Sequence, residues 1–249
     1  VPSGVIAFTV SGQREKYLRQ VLGSWGRVRG IDSWHLLFCV EPGYQFPVPE
    51  FTAWVQRVFA SAEVMVNPER LGCLRNTRHA MREAFGRGAE FAILAEEDCK
   101  VSDDVLEYFA WARDAYAADE NVTAVCAHSL RTEAGSDDEV VLGDWFNPIV
   151  WGTWKDRWES FIEPGWGFYP GNEESWDNNL RVQIRDAGRR SVFPVRSRSV
   201  HIGEVSTQHR YDLAAYFYRT ALSSSFAASR ESRAEFTEIP FSRKLGLWV

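Results

Sequence analysis

Three consecutive carboxylates, Glu96-Glu97-Asp98, follow the apolar run Phe91-Ala92-Ile93-Leu94-Ala95. Neighbouring carboxylates repel one another unless a cation sits among them. A hard divalent ion, Mg2+ or Mn2+, held by one or two carboxylates together with substrate phosphates, satisfies such a group. In open α/β sheets ligands bind beyond the carboxyl ends of the strands, which is where this triplet stands. The other chemistry these residues allow is an acidic turn ahead of a helix, favoured by the helix dipole.

The elements that must position the triplet alternate along the first 130 residues. Val5 to Val10 is a continuous apolar run, the pattern of a strand buried on both faces. Leu18, Val21, Leu22 and Trp25 then fall on one helical stripe. Trp34 to Val40 reads as a second strand, closed by the turn signal Glu41-Pro42-Gly43. Residues 50 to 60 are helix-like, Glu63 to Val66 a short strand, and Leu71 to Phe85 a helix. After the triplet, Ser102-Asp103-Asp104 caps a helix carrying Val105, Phe109, Ala112 and Tyr116, and Asn121 to Ala127 is a further strand. This alternation predicts an α/β protein with a mainly parallel sheet, flanked by helices and joined by right-handed crossovers. Beyond residue 130 the pattern changes. Thr132 to Glu139 is a polar loop, and residues 145 to 180 are rich in Trp, Gly and Pro with two short helices, the first carrying Trp154, Trp158, Phe161 and Ile162. Short strands near Val192 and Val200 precede a helical tail from about Tyr211.

Composition narrows the class. Of 249 residues, 45% are hydrophobic and 25% charged, which excludes a disordered, collagenous or disulfide-scaffold chain. The formal net charge of −6 gives no global signature of a nucleic-acid binder. Residues 181–249 nevertheless hold 12 Lys and Arg against 6 Asp and Glu, leaving 16 against 28 for the rest. A basic C-terminal part on an acidic body points to a polyanion there, or to a solvated basic face. Cys39, Cys73, Cys99 and Cys126 are widely spaced with no paired motif, as expected for free thiols in a reducing compartment. No apolar stretch is long enough to span a membrane. A cytoplasmic location is expected, unless a segment ahead of Val1 has been removed.

The series as a whole resembles the GT-A glycosyltransferases, most closely the N-acetylglucosaminyltransferase I type, over roughly residues 4 to 210. The segments that carry the resemblance are Phe8 to Arg14, Cys39 to Gly43, Leu74 to Met81 and the triplet strand, followed by Pro148 to Glu163, Ser175 to Asn178 and Val200 to Gly203. It implies a single Rossmann-like domain with a nucleotide-sugar half at 1–130, a Trp-rich acceptor half at 131–210 and the tail at 211–249. It also implies a metal-dependent, inverting transfer from a nucleotide-sugar donor, a UDP-sugar by preference, to an acceptor hydroxyl. Asp98 would bind the metal, Glu96 the ribose, and Glu97 would lie near the donor sugar. Glu41 would read the base, and Thr9, Ser11, Arg14, Arg75 and Asn76 would complete the donor pocket. His201 matches a late metal histidine, a structural histidine being the alternative. Arg196 and Arg198 either pair the diphosphate or form an exposed strand face. The catalytic base of the resembling family lies in a Trp-acid-acid stretch. Here that stretch is Trp176-Asp177-Asn178, and an amide cannot take a proton, so Asp177 is the candidate base with Glu174 and Glu173 as substitutes.

Among the 11 tryptophans, Trp25, Trp34, Trp111, Trp154 and Trp158 fall on apolar stripes or strands and are expected in the core. Trp145, Trp151, Trp166 and Trp176 lie among Gly and Pro, where rings either stack on an acceptor or form a small core of their own. The acceptor is expected to be a saccharide or glycoprotein, or a hydroxymethylated pyrimidine in DNA, as in phage-type DNA glucosyltransferases, held by the basic C-terminal part. Two other classes stay open: a carbohydrate-binding protein without activity, and a metal-dependent phosphoryl-transfer hydrolase.

Overall fold

Strand β1 (Val5–Val10) alternates its side chains across the sheet, and this divides the core in two. Ile6, Phe8 and Val10 enter one apolar cluster and Val5 and Ala7 the other. In this computed structural model, which describes residues 4–43, 47–129, 136–167, 175–203, 226–231 and 235–240, the next elements follow the expected order. They are α1 (Glu15–Trp25), β2 (His35–Val40), α2 (Val48–Val58), β3 (Ala62–Val66), α3 (Gly72–Gly86) and β4 (Phe91–Glu96). The stripe Leu18, Val21, Leu22 and Trp25 is buried against the first cluster. There Phe8 stacks on Phe38 at 4.6 Å and meets Trp25 edge-on at 5.3 Å. Helix α3 covers the opposite face through Ala80, Met81, Ala84 and Phe85.

The triplet does not lead straight into a helix. Glu97 and Asp98 form a turn into a short strand, β5 (Cys99–Val101), ahead of α4 (Val105–Ala115) and β6 (Val122–Cys126). The remaining elements are β7 (Glu139–Gly143), β8 (Trp151–Trp154), α5 (Lys155–Arg157) running into a π turn at Trp158–Ile162, α6 (Trp176–Asp186), β9 (Arg190–Pro194), β10 (Ser199–His201) and β11 (Thr237–Glu238). Trp154 therefore closes a strand and does not belong to the helix expected there, and Glu139 opens a strand and does not end a loop. The described parts of the expected helical tail, 226–231 and 235–240, hold a strand and no helix, and the rest of it lies outside the described residues.

The nine-stranded sheet has the order β11-β7-β9-β6-β8-β4-β1-β2-β3. Strands β3, β2, β1 and β4 are parallel neighbours, as expected of a crossover-connected α/β half. Strand β8 enters antiparallel between β4 and β6, with Ile93 opposite Gly152 and Cys126 opposite Trp151. Gly152 is required at that crossing, because a Cβ there would lie 2.7 Å from the Phe91 ring. A separate pair, β5 with β10, sets His201 opposite Cys99.

Just before β8, Val150 has φ of 54°, a left-handed conformation that costs a β-branched residue energy. Its carbonyl accepts the N–H of Ala127 at 2.8 Å. The preceding carbonyl, of Ile149, accepts the Ser199 hydroxyl at 3.0 Å. The bend thus fixes β10, and with it His201, beside the ends of the central strands.

Candidate active site

Parallel register places Thr9 of β1 beside Glu96 of β4, so the loop after β1 and the acidic turn after β4 meet at one sheet edge. The Ser11 backbone N–H donates to Glu97 at 2.9 Å and its hydroxyl donates to the other carboxylate oxygen. Arg14 pairs with Asp98 through Oδ2, and His201 Nε2 stands 3.2 Å from that same oxygen. Ser11, Arg14, Glu96, Glu97, Asp98 and His201 are therefore brought together at one place, and Thr9 stands next to them.

Its electrostatics is that of carboxylates short of positive charge. Burial, then the charges of Asp98 and Asp177, push Glu96 up to about 8. Burial also raises Glu97 in spite of its bonds to Ser11. For Asp98 burial acts upward too, but the hydrogen bond and charge of His201 and the charge of Arg14 outweigh it, and the net direction is downward. The Cys99 thiol is raised by burial and by the charges of Asp98 and Glu96, so it stays protonated and faces Asp98 as a weak donor at 3.6 Å.

Asp98, Cys99 and His201 are the one group of side chains among the described residues with ligand atoms close enough to share a metal ion. Asp98 and His201 offer a carboxylate and an imidazole, a hard and borderline set that suits Mn2+ or Mg2+, whereas a thiol is a soft donor. The backbone shapes the same place: a Cβ at Gly203 would stand 2.6 Å from Asp98 Oδ2 and 2.6 Å from His201 Cε1. The residues fit a divalent cation. Gly203 belonged to a quoted segment, but its role depends on this close approach, which no residue pattern displays.

Asp177 lies in the first turn of α6, where its carboxylate accepts the Ser175 hydroxyl at 2.6 Å. Its charge is one of those that raise Glu96. Glu173 and Glu174 lie outside the described residues.

Several expected donor residues do other work. Both carboxylate oxygens of buried Glu41 accept backbone N–H groups at the start of α3, from Leu71 at 2.9 Å and Gly72 at 2.8 Å. Glu41 thus caps this helix, satisfying two of the backbone donors that its first turn leaves unpaired. Asn76 is buried between the Asn67 amide, which donates to it at 2.9 Å, and the Cys39 carbonyl. Arg75 is exposed and turns its guanidinium back to the carbonyls of Leu71 and Arg70. Arg198 is fully buried and paired with Asp104 at 3.2 Å, so it belongs neither to an exposed face nor to a diphosphate site.

The acceptor tryptophans divide. Trp151 and Trp176 are buried in the cluster under α3 and α6, which corrects their assignment to an acceptor surface. Half-buried Trp145 stacks on Phe193 at 4.3 Å. Half-buried Trp166 stacks on Trp176 at 5.1 Å and donates its indole N–H to the Leu74 carbonyl at 3.0 Å. Apolar neighbours of the Trp166 kind were visible only as a Trp–Gly-rich run, since the pairing partner lies 92 residues away.

No protein-family profile and no curated protein sequence matches the chain. Solved structures do. A mannosyltransferase, PcManGT from Pyrobaculum calidifontis, in complex with GDP-Man and Mn2+, superposes with a TM-score of 0.54 at 14% identity over 78% of this chain and 55% of its own. GalNAc-T7 with UDP, GalNAc and Mn2+ gives 0.60 at 9% identity over 87% of this chain and 47% of its own. S. aureus TarS (1–349) in complex with UDP gives 0.53 at 10% identity over 90% and 67%. The chain thus has the GT-A fold and spans about half the length of the first two of these structures.

Proposed function

We propose that this chain is a metal-dependent glycosyltransferase that moves a sugar from a nucleotide-sugar to an acceptor hydroxyl. The observation that carries the proposal is the shared oxygen of Asp98, bracketed by His201 and Arg14 at the end of the central strands. Support comes from the fold and from structures of that fold which hold GDP-Man, UDP and Mn2+. Asp98 and His201 would hold the ion, which when bound supplies positive charge against a leaving diphosphate.

The rest of the chemistry belongs to the chain. Ser11 fixes Glu97 and thereby joins the β1 loop to the acidic turn, so the floor of the donor pocket is set before a donor arrives. Arg14 adds a fixed cation beside phosphate oxygens, and Glu96 offers a hydrogen bond to the ribose. For an inverting transfer, Asp177 takes the proton of the acceptor hydroxyl as its oxygen bonds to the anomeric carbon. The bond from that carbon to the diphosphate oxygen breaks on the opposite face, and the electron pair leaves with the nucleoside diphosphate.

Among acceptors, a saccharide or glycoprotein is favoured over DNA. The basic residues that suggested DNA are largely engaged internally where they are described: Arg198 with Asp104, Arg196 and Arg230 with Asp137, and Arg190 with Asp119. No helix among the described residues is long and apolar enough to cross a membrane.

Calorimetric titration with UDP and GDP, with and without Mn2+, tests the proposal. Metal-dependent nucleotide binding that is lost in Asp98→Asn is expected. Absence of metal-dependent binding of either nucleotide by the parent overturns it.

A further inference from the structure

Helix α3 carries Arg75, Arg78 and Arg82 at spacings of three and four, so the three guanidinium groups share one face. That face lines a cavity of about 320 Å³ whose opposite wall is Trp166 and Gly167. Gly167 has φ of 72°, a left-handed conformation that favours glycine, and it stands against the Leu74 side chain. Glu163, four residues before Gly167, pairs with two of the arginines, Arg78 at 3.4 Å and Arg82 more closely. Arg75 donates to the Leu71 and Arg70 carbonyls and stands 3.7 Å from the exposed Glu69, and His79 stands 3.9 Å from Glu83. Among the described residues the lining of this groove thus holds three arginines and His79 and no carboxylate.

The groove is joined to the reaction centre by packed rings. Trp166 stacks on Trp176 with an interplanar angle of 10°, and the residue after Trp176 is Asp177. Trp166, which lines the groove, thus packs on the first residue of α6, the helix that carries the candidate base.

We propose that this groove binds a phosphate group of the acceptor, and that the acceptor is a phosphorylated saccharide. Guanidinium groups take phosphate oxygens in paired hydrogen bonds, which neutral hydroxyls do not replace. A cavity of this volume accommodates a sugar phosphate. The net charge of −6, and the pairing of Arg190, Arg196, Arg198 and Arg230 with carboxylates of the chain, disfavour a nucleic-acid strand as the source of the phosphate. The inference rests on the glycosyltransferase reading for the word acceptor, but phosphate binding itself does not.

The test is a fluorescence and calorimetric titration of the whole chain with glucose 6-phosphate, inorganic phosphate, glucose and a single-stranded oligonucleotide. Glucose 6-phosphate is expected to bind most tightly and glucose not measurably. The double variant R78Q/R82Q should weaken glucose 6-phosphate at least tenfold, whereas Glu163→Gln, which removes the internal counter-charge, should tighten it. A purely structural ion-pair cluster gives neither change, and that result overturns the proposal. Oligonucleotide binding tighter than glucose 6-phosphate, lost in the same double variant, overturns the saccharide assignment. If R78Q/R82Q fails to fold, the sign of the Glu163→Gln change decides alone. Binding of UDP with Mn2+ to the parent is measured in parallel. Its absence counts against the glycosyltransferase reading, and its presence without sugar-phosphate binding counts against this one.

Discussion

His201 stands 3.2 Å from Asp98 through Nε2 while its Nδ1 accepts the backbone N–H of Gly203 at 3.1 Å. The backbone thus orients the ring toward the carboxylate from the far side, in the tautomer whose Nε2–H donates to Asp98. A methyl group at position 203 would enter the space of both Asp98 and His201. Gly203→Ala is expected to weaken Mn2+ binding at least tenfold, read from the free-Mn2+ signal by electron paramagnetic resonance, with little change in the thermal midpoint. An unaltered Mn2+ affinity would show that the pair is not the metal site.

Glu41 makes a second kind of prediction, because two roles give opposite outcomes. As the cap of α3 it satisfies two backbone donors with a buried carboxylate, and hydrogen bonds to charged groups contribute about 1.5–3 kcal/mol each. Glu41→Ala should therefore lower the urea midpoint by an amount equivalent to at least about 2 kcal/mol. If Glu41 instead reads the base, stability stays near the parent and only nucleotide affinity falls.

These two sites also show what the sequence could display. The strand under the triplet and the stripe on α1 were legible because burial on two faces and on one helical face leave periodic patterns. The insertion of β8 between β4 and β6 was not legible. Its residues Trp151–Trp154 read as aromatic and helical, and the antiparallel entry depends on Gly152 fitting against Phe91 across the sheet. The triplet and His201 could be named as candidates from residue type. Their convergence needed β10 to pair with β5, a contact between segments about 100 residues apart. Glu41 had the right residue type and the right strand end, yet the partner that claims its carboxylate is backbone, which carries no signature in side-chain identity. The tryptophans fail for a similar reason: a Gly- and Pro-rich neighbourhood looks like a surface, although Trp151 is fully buried.

His128 gives a pH dependence. Its ring is fully buried, Nδ1 donates to the Ser199 carbonyl at 2.9 Å, and Nε2 has no hydrogen-bond partner among the described residues. Burial lowers it from the ordinary 6.5 to about 4, against the bond to Ser199. Between these values the unfolded chain takes up the proton and the folded chain does not, so stability falls as the solution is acidified. Above pH 6.5 neither state takes it and no loss occurs. The loss approaches roughly 3 kcal/mol by the acid end of that window. Thermal midpoints of the parent and His128→Asn across the window check this. The parent should fall more steeply, and parallel curves would refute the assignment.

Asp177 carries the prediction that bears most directly on the chemistry. It is held by the Ser175 hydroxyl and its charge is one of those that raise Glu96, so its removal leaves the Asp98–His201 pair in place. Asp177→Asn keeps the shape and the capacity to accept a hydrogen bond from Ser175 but cannot accept a proton. Loss of a positioned base typically costs 10²–10⁴-fold in rate. We therefore expect Asp177→Asn to reduce kcat by about that factor, with the Mn2+-dependent affinity for nucleotide within a few-fold of the parent. Asp177→Ala should behave alike in kcat and additionally free the Ser175 hydroxyl, with a small loss of α6 stability. Removing the negative charge should also lower Glu96 from about 8, because Asp177 is one of the charges that raise it. A carbon-13 titration of the Glu96 carboxyl in metal-free protein reads that shift independently of catalysis. If kcat is retained in Asp177→Asn while the Glu96 titration moves as expected, the geometry is right and the base is another residue.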